Sequence, residues 1–290
     1  KTDNLMKVLS DEFDVVKKYQ NRLTAEDIIN SDLVLFYYWK QFRSLKPLEK
    51  VLYDNRHKIL WGICSHLELA GKWRRKGMKV IRKYGSGVFV NNMFLYNEFK
   101  NEFQQPVFYT PNGVNTEFFS PPGEKADGTS LIKVGWAGSL SNMGSEHRGY
   151  HNFILPAVES TPGVELATAA REDKLCGHEE MREFYRTLDL YICASESEGT
   201  PNPCLEAAAC GVPLLTTRVG NMPELVKDDE NSLFIERSVG DIREKMEYLR
   251  DNPDRRALFS RRILEDIKEW DWKVQAENYR NMFRYFLLSK

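Results

Sequence analysis

Short apolar runs rich in Val, Ile, Leu and aromatic residues alternate along this chain with longer charged segments whose apolar positions recur at helical spacing. That rhythm predicts βαβ units and a parallel sheet. In the first half the strand candidates are residues 32–39 (DLVLFYYW), 58–65 (KILWGICS), 87–90 (GVFV) and 106–110 (PVFYT), with crossover helices over 43–56 and 92–103. Residues 5–16, LMKVLSDEFDVV, offer a further strand. Residues 110–130 are dense in Pro, Gly, Asn and Ser, carry no periodicity and read as a linker, with a domain boundary near Pro121 to Ser130. The rhythm then restarts, with strands at 132–138, 164–170, 188–195 and 212–217 and helices at 150–159, 179–187 and 202–210. From Asp241 to Lys290 the pattern is helical only, and no internal repeat or low-complexity tract appears.

The most informative stretch runs from Ser195 to Val226, SESEGTPNPCLEAAACGVPLLTTRVGNMPELV. A strand ends, a Gly/Pro turn follows and a helix begins, and ligands of open α/β sheets bind at such carboxyl ends. Glu198 lies on the turn, Gly199 and Thr200 can expose backbone N–H groups, and Pro201 or Pro203 suits a first helical position. The helix N-terminus is therefore a candidate diphosphate site. Glu206 falls one to two turns into the helix, within reach of a ribose.

Glu198 and Glu206 form an E-x(7)-E pattern inside EGTPNPCLEAAACGVP, which resembles the donor-site signature of the retaining, nucleotide-sugar-dependent family-four glycosyltransferases. The likeness continues through TTRVGNMPELV and DDENSLFIE. Upstream, PNGVNTEFFSP (111–121) resembles the segment that closes the first domain in that family, and WAGSLSNMGSEHRGYHNFI (136–154) its phosphate-binding turn and following helix. EWDWKVQAENYRNMF resembles its closing helix. A lone E-x(7)-E carries no weight; embedded in this order of motifs, over roughly Leu33 to Phe283, it is specific.

The resemblance implies an α/β chain of GT-B architecture: two Rossmann-like domains facing a cleft, with residues 1–122 on the acceptor side, 130–268 binding the nucleotide sugar, and 269–290 crossing back to the first domain. It implies that Glu198 contacts the transferred sugar, that Gly138, Ser139 and the backbone of Gly199, Thr200, Pro201 and Asn202 line the donor, that Glu206 holds the ribose hydroxyls and that Arg148 grips phosphate. His66 matches a first-domain His facing the reacting sugar, although a His at a strand end is as readily a satisfied structural residue. Two departures stand out. Ser139 follows Gly138 where the family usually carries Arg, and the first domain is short, without the family's Gly-rich loop. The implied reaction is transfer from a nucleoside diphosphate sugar, UDP or GDP type, with retention of configuration and neither a metal nor another cofactor. A non-catalytic nucleotide-sugar-binding module or partner subunit, and an epimerase or phosphorylase sharing the architecture, are the rival readings.

Composition narrows the setting. With 290 residues, 42% apolar and 29% charged, six Trp, thirteen Tyr and sixteen Phe, the chain has material for two modest α/β cores. A formal net charge of −1 excludes a global pull toward nucleic acid or membrane, so any such partner needs a local patch. Five cysteines without C-x-x-C spacing argue against a disulfide framework or a zinc site. No apolar run is long enough to span a bilayer, and KTDNLMKVLSDEF lacks a signal-peptide layout, which points to the cytoplasm or the inner face of a membrane as a peripheral site. The one strong electrostatic feature is residues 71–84, GKWRRKGMKVIRKY: seven Lys or Arg, no acid, and interleaved apolar residues. A solvated helix face explains it as well as an acceptor surface built on Arg74, Arg75, Lys79 and Arg82. As an acceptor surface it suits an anionic membrane or an anionic polymer, nucleic acid included, and the family resemblance favours a glycan or lipid-linked acceptor at a membrane.

Overall fold

The computed structural model describes residues 2–123, 131–141, 146–174 and 176–288, so residues 124–130 of the expected linker and 142–145 of the expected phosphate turn lie outside the described residues. The chain divides into two compact units, Lys1–Gly113 with Trp272–Lys290, and Val114–Asp271.

The first unit is a four-stranded parallel sheet in sequence order: β1 (Val34–Phe36), β2 (Ile59–Ile63), β3 (Gly87–Val90) and β4 (Val107–Tyr109). Side chains of a strand alternate faces, so such a sheet must be covered on both. On one face Trp61, Ile63, Val88 and Val90 pack with Trp39, Leu52, Ile81 and Leu95, carried by the connections that include helices α3 (Glu49–Asp54), α4 (Arg74–Tyr84) and α5 (Met93–Phe99). On the other face Leu60, Phe89 and Phe108 pack with Leu5 and Leu9 of α1 (Thr2–Leu9) and with Trp272, Ala276, Tyr279 and Phe283 of the closing helix, Trp272–Leu288. Tyr279 Oη donates to the carbonyl of Thr110 at 3.0 Å.

Residues 5–9 are therefore helix and not strand: Leu5 and Leu9, one turn apart, meet the closing helix on one face. The expected helix over 43–56 is shortened to α3, preceded by 3-10 turns at Trp39–Arg43 and Lys46–Leu48, because Pro47 cannot sit inside a helix. α2 spans Ala25–Asn30, where the Thr24 side chain and Asp27 form a reciprocal cap.

The second unit holds five parallel strands, β5 (Ile132–Gly138), β6 (Val164–Ala170), β7 (Leu190–Cys193), β8 (Leu214–Thr216) and β9 (Leu233–Phe234), in the order β6-β5-β7-β8-β9. β9 has only two residues and gave no readable run. Helices α6 (Leu155–Glu159), α7 (His178–Arg186), α8 (Asn202–Ala209), α9 (Met222–Leu225), α10 (Val239–Asp251) and α11 (Pro253–Asp266) cover the sheet. β6 lies to one side of β5 and β7 to the other, so the connection reverses direction there and leaves a crevice at the carboxyl ends of β5 and β7.

The unit boundary differs from the expected one. Val114 to Pro122, expected in the first domain, pack with the second unit: Phe119 is 4% exposed in its core, the Val114 N–H donates to Trp270 at 2.8 Å, and Asp271 Oδ2 accepts from Thr116 N–H and Oγ1. The passage between units therefore falls at residues 113–114 and 271–272, two positions that the Asp271 contacts hold side by side.

Replacing Tyr279 by Phe removes one hydrogen bond and should cost about 1 kcal/mol, whereas Tyr279→Ala also empties the second face of the sheet and should cost about 3–5 kcal/mol. Urea unfolding followed by tryptophan fluorescence measures both; equal losses would mean that the ring does not fill that face.

Candidate functional site

At the carboxyl ends of β5 and β7 the second unit opens into a cavity of about 400 Å³. Gly138, Arg148, Glu198, Thr200, Pro201, Asn202 and Glu206 line it together with Arg171, Lys174, Cys176, Met181 and Tyr185.

Arg148 is placed by two glycines. A methyl group on Gly138 would come within 2.7 Å of Trp136 and 3.1 Å of the Arg148 stem, so the missing side chain is the space through which Arg148 runs. Gly149 turns the chain with φ 70° and packs where a methyl group would lie 2.8 Å from the Ala194 carbonyl; only glycine meets both demands. Arg237 braces this segment, donating to the carbonyls of Glu146 and His147 at 2.9 and 3.4 Å and pairing with Glu196 at 3.3 Å.

The turn that carries Glu198 is clamped from both sides. Glu196 N–H donates to the His147 carbonyl at 2.9 Å, and Thr217 Oγ1 donates to the Ser195 carbonyl at 2.7 Å. Gly220, with φ 54°, lies so close that a methyl group there would be 2.6 Å from the Gly199 carbonyl. Gly199 itself is buried under that contact and does not line the cavity. Ser195 Oγ donates to Glu198 Oε1 at 3.0 Å, which orients a half-buried carboxylate toward the cavity.

The start of α8 differs from the expected amide cradle. Pro201 and Pro203 have no N–H, Asn202 N–H donates to the Thr200 carbonyl, and Cys204 N–H donates to the Pro201 carbonyl, both at 2.9 Å. Local turn formation has consumed donors that sequence reasoning assigned to phosphate. Ser139 also differs: its hydroxyl donates to Glu172 Oε1 at 2.5 Å, and it is absent from the cavity wall. Glu172 accepts in addition from the N–H groups of Leu140 and Ser141, and the Ser139 hydroxyl above all lowers its pKa to about 2.

Glu206 stands on α8 with Oε2 accepting from the fully buried Tyr185 hydroxyl at 2.8 Å. Burial raises its pKa to about 7, and the Tyr185 hydrogen bond offsets only part of that rise. Tyr191 is 2% exposed and its Oη accepts from the Ala137 N–H at 3.1 Å, fixing the end of β5.

In the first unit His66 follows β2. Its Nδ1 lies 3.5 Å from Glu98, which also binds Arg74 at 2.6 Å, so a carboxylate of α5 anchors both. The basic helix α4 divides in two. Arg74 and Arg82 are tied to α5 and its end through Glu98, Glu102 and the Glu102 carbonyl, whereas Arg75 and Lys79 are exposed along an open depression of about 710 Å³. Acids from neighbouring helices thus offset charge that the segment's own sequence leaves unbalanced. Sequence reasoning singled out neither Gly149, Gly220, Tyr185 nor Arg171; the two glycines were visible inside recognised motifs, but their close contacts were not.

Residues 175–265 match the family model of glycosyl transferases group 1. The structure superposes on Anabaena HepE in complex with UDP and glucose with a TM-score of 0.72, covering 89% of this chain and 79% of that one at 14% identity. The chain has the GT-B fold. Among curated relatives, the sulfoquinovosyl transferase of Arabidopsis thaliana is 26% identical over 107 residues, 36% of this chain and 21% of that protein. The GDP-mannose-dependent monoacylated alpha-(1-6)-phosphatidylinositol monomannoside mannosyltransferase of Corynebacterium glutamicum is 24% identical over 244 residues, 70% of this chain and 64% of that protein. The chain spans about a fifth of the length of the first relative and under two thirds of the second. No helix among the described residues is long and apolar enough to cross a membrane.

A ribose diol donates more strongly to a carboxylate, which offers two charged acceptor oxygens, than to a carboxylic acid, so binding of an intact nucleotide sugar favours ionised Glu206. Affinity should rise with pH through about 7 and level off above it, weakening about fivefold from pH 7 to pH 6, and Glu206→Gln should be flat over that range. Calorimetric titration at pH 6, 7 and 8 tests this. The stability effect has the opposite sense. Because the folded pKa lies above the ordinary 4.5, ionisation costs folding stability as pH rises from about 4.5 through 7. Glu206→Gln should therefore gain thermal stability at pH 8 relative to pH 5.

Proposed function

We propose that this chain transfers a sugar from a nucleoside diphosphate sugar to an acceptor with retention of anomeric configuration. The observation that carries this reading is the convergence of Arg148, Glu198 and Glu206 on one cavity at the switch point of a GT-B second unit, with Glu198 and Glu206 inside the segment that matches group 1 glycosyl transferases. In this reading Glu206 accepts from the ribose hydroxyls and Glu198, oriented by Ser195, accepts from hydroxyls of the sugar. Arg148 faces the diphosphate, whose negative charge grows as the glycosidic bond breaks; a cation held in place beforehand stabilises that charge without reorganising. His66 would act from the first unit on the reacting sugar. The chemistry asks for no metal at the leaving group if side-chain cations supply the charge.

The donor is a UDP or GDP sugar. HepE was solved with UDP and glucose, and the Corynebacterium relative is named for GDP-mannose. The same relative is named for a phosphatidylinositol mannoside substrate, which favours a lipid-linked or glycan acceptor, met by the exposed Arg75 and Lys79.

Incubation with UDP and GDP sugars, followed by NMR of the product, tests the reading. Donor turnover that persists in excess EDTA and gives a product of unchanged anomeric configuration is expected. Glu198→Gln should lower turnover at least a hundredfold, about 2.7 kcal/mol, with nucleotide affinity within a few fold. Loss on chelation that magnesium restores would refute metal independence, and binding without hydrolysis or transfer would leave a nucleotide-sugar-binding module.

Neutral replacements at Arg75 and Lys79 should lower acceptor transfer at low salt while donor hydrolysis stays intact, an effect fading above about 0.15 M salt. Replacements at Arg74 or Arg82 should instead lower thermal stability, because their partners are internal.

A further inference from the structure

We infer that Arg171 is the second cation of the donor pocket and binds the diphosphate opposite Arg148. The inference rests on the donor reading proposed above and adds a residue to it.

Strand register places it there. Gly138, the last residue of β5, pairs with Ala170, the last residue of β6, so the chain leaves the two strands side by side as Ser139 and Arg171. The Arg171 N–H donates to the Gly138 carbonyl at 2.9 Å, which fixes its backbone beside the glycine that makes room for Arg148. Both arginines line the same cavity and flank the same glycine from different elements.

Arg171 is also unengaged. Its side chain is exposed and makes no ion pair or hydrogen bond among the described residues. Glu172, its neighbour in sequence, is occupied by Ser139, Leu140 and Ser141. A guanidinium beside an acid it does not bind, on the wall of a cavity, is positioned for a ligand.

The other anion-binding groups at this end of the sheet are depleted. Ser139 is turned to Glu172, and the first turn of α8 has two prolines and two amides bonded locally. Lys174, the remaining cation of the cavity wall, is paired with Glu180, which leaves Arg171 to supply the second positive charge beside a diphosphate seated against Arg148.

The test is calorimetric titration of the full chain, wild type, Arg171→Ala and Arg171→Lys, with UDP, GDP, uridine and guanosine. The expected result is an approximately tenfold loss of nucleoside diphosphate affinity in Arg171→Ala, smaller at high salt, partial recovery in Arg171→Lys, and unchanged nucleoside affinity. Equal losses for nucleoside and nucleoside diphosphate would place Arg171 on the base or ribose and overturn the assignment. Diphosphate affinity unchanged in Arg171→Ala would overturn it while leaving the donor reading intact. A wild-type protein that binds neither diphosphate would overturn both. Arg171 is exposed, so thermal unfolding of the variants should match the wild type and exclude misfolding as the cause.

Discussion

A parallel sheet must bury both faces, and in the first unit that requirement organises the chain from end to end. The strands run in sequence order, so their own crossovers supply helices to one face while the other receives Leu60, Phe89 and Phe108 with no crossover to cover them. The two ends of the chain meet the need together, α1 and the closing helix laying Leu5, Leu9, Ala276 and Tyr279 against those side chains. The chain must therefore leave the first unit at Gly113 and re-enter it at Trp272, and the second unit is built within that excursion.

Inside the second unit the site depends on close backbone approach. Gly138 gives passage to Arg148, Gly149 reverses the chain against Ala194, and Gly220 presses on Gly199. Each contact leaves less room than a methyl group needs, so the three glycines set the spacing among the loops that carry the charged side chains. Those side chains work against burial. Glu206 is shielded enough to titrate near neutrality, with Tyr185 as the donor that keeps one of its oxygens satisfied. Glu198 keeps an oxygen on Ser195, and Glu172 is spent on the loop after β5. The acids thus have distinct employments, while Arg148 and Arg171 stand on the cavity wall.

Much of this was legible in the sequence. The strands at 87–90, 132–138 and 164–170 coincide with β3, β5 and β6, because short, mostly apolar runs are bounded sharply by glycines and polar residues. The helices at 150–159, 179–187 and 202–210 lie within a residue or two of those observed, although the first begins as a π-helical turn over Tyr150–Ile154. The order of motifs from Pro111 onward pointed to the GT-B fold, and seven of the residues it singled out for the donor line one cavity. One failure was a matter of period. Residues 5–9 carry a pattern short enough to suit strand or helix, and the closing helix chose helix.

What the sequence determined by itself was therefore everything governed by local period and local chemistry: which runs are strands, where turns break them, and which carboxylates and cations belong to one motif. Tertiary structure decided what depends on residues distant in sequence becoming neighbours. Ser139 faces Glu172, 33 positions away, and so leaves the cavity wall; Arg171 reaches that wall because β6 pairs with β5; Asp271 claims Thr116, 155 positions away, and moves the unit boundary. Glu206 reads in sequence as an ordinary carboxylate, and only burial in the folded unit raises its pKa to about 7, against the opposing hydrogen bond from Tyr185. A linear pattern specifies which groups a chain carries, but a group's charge, partners and exposure follow from surroundings that exist only once the strands have paired.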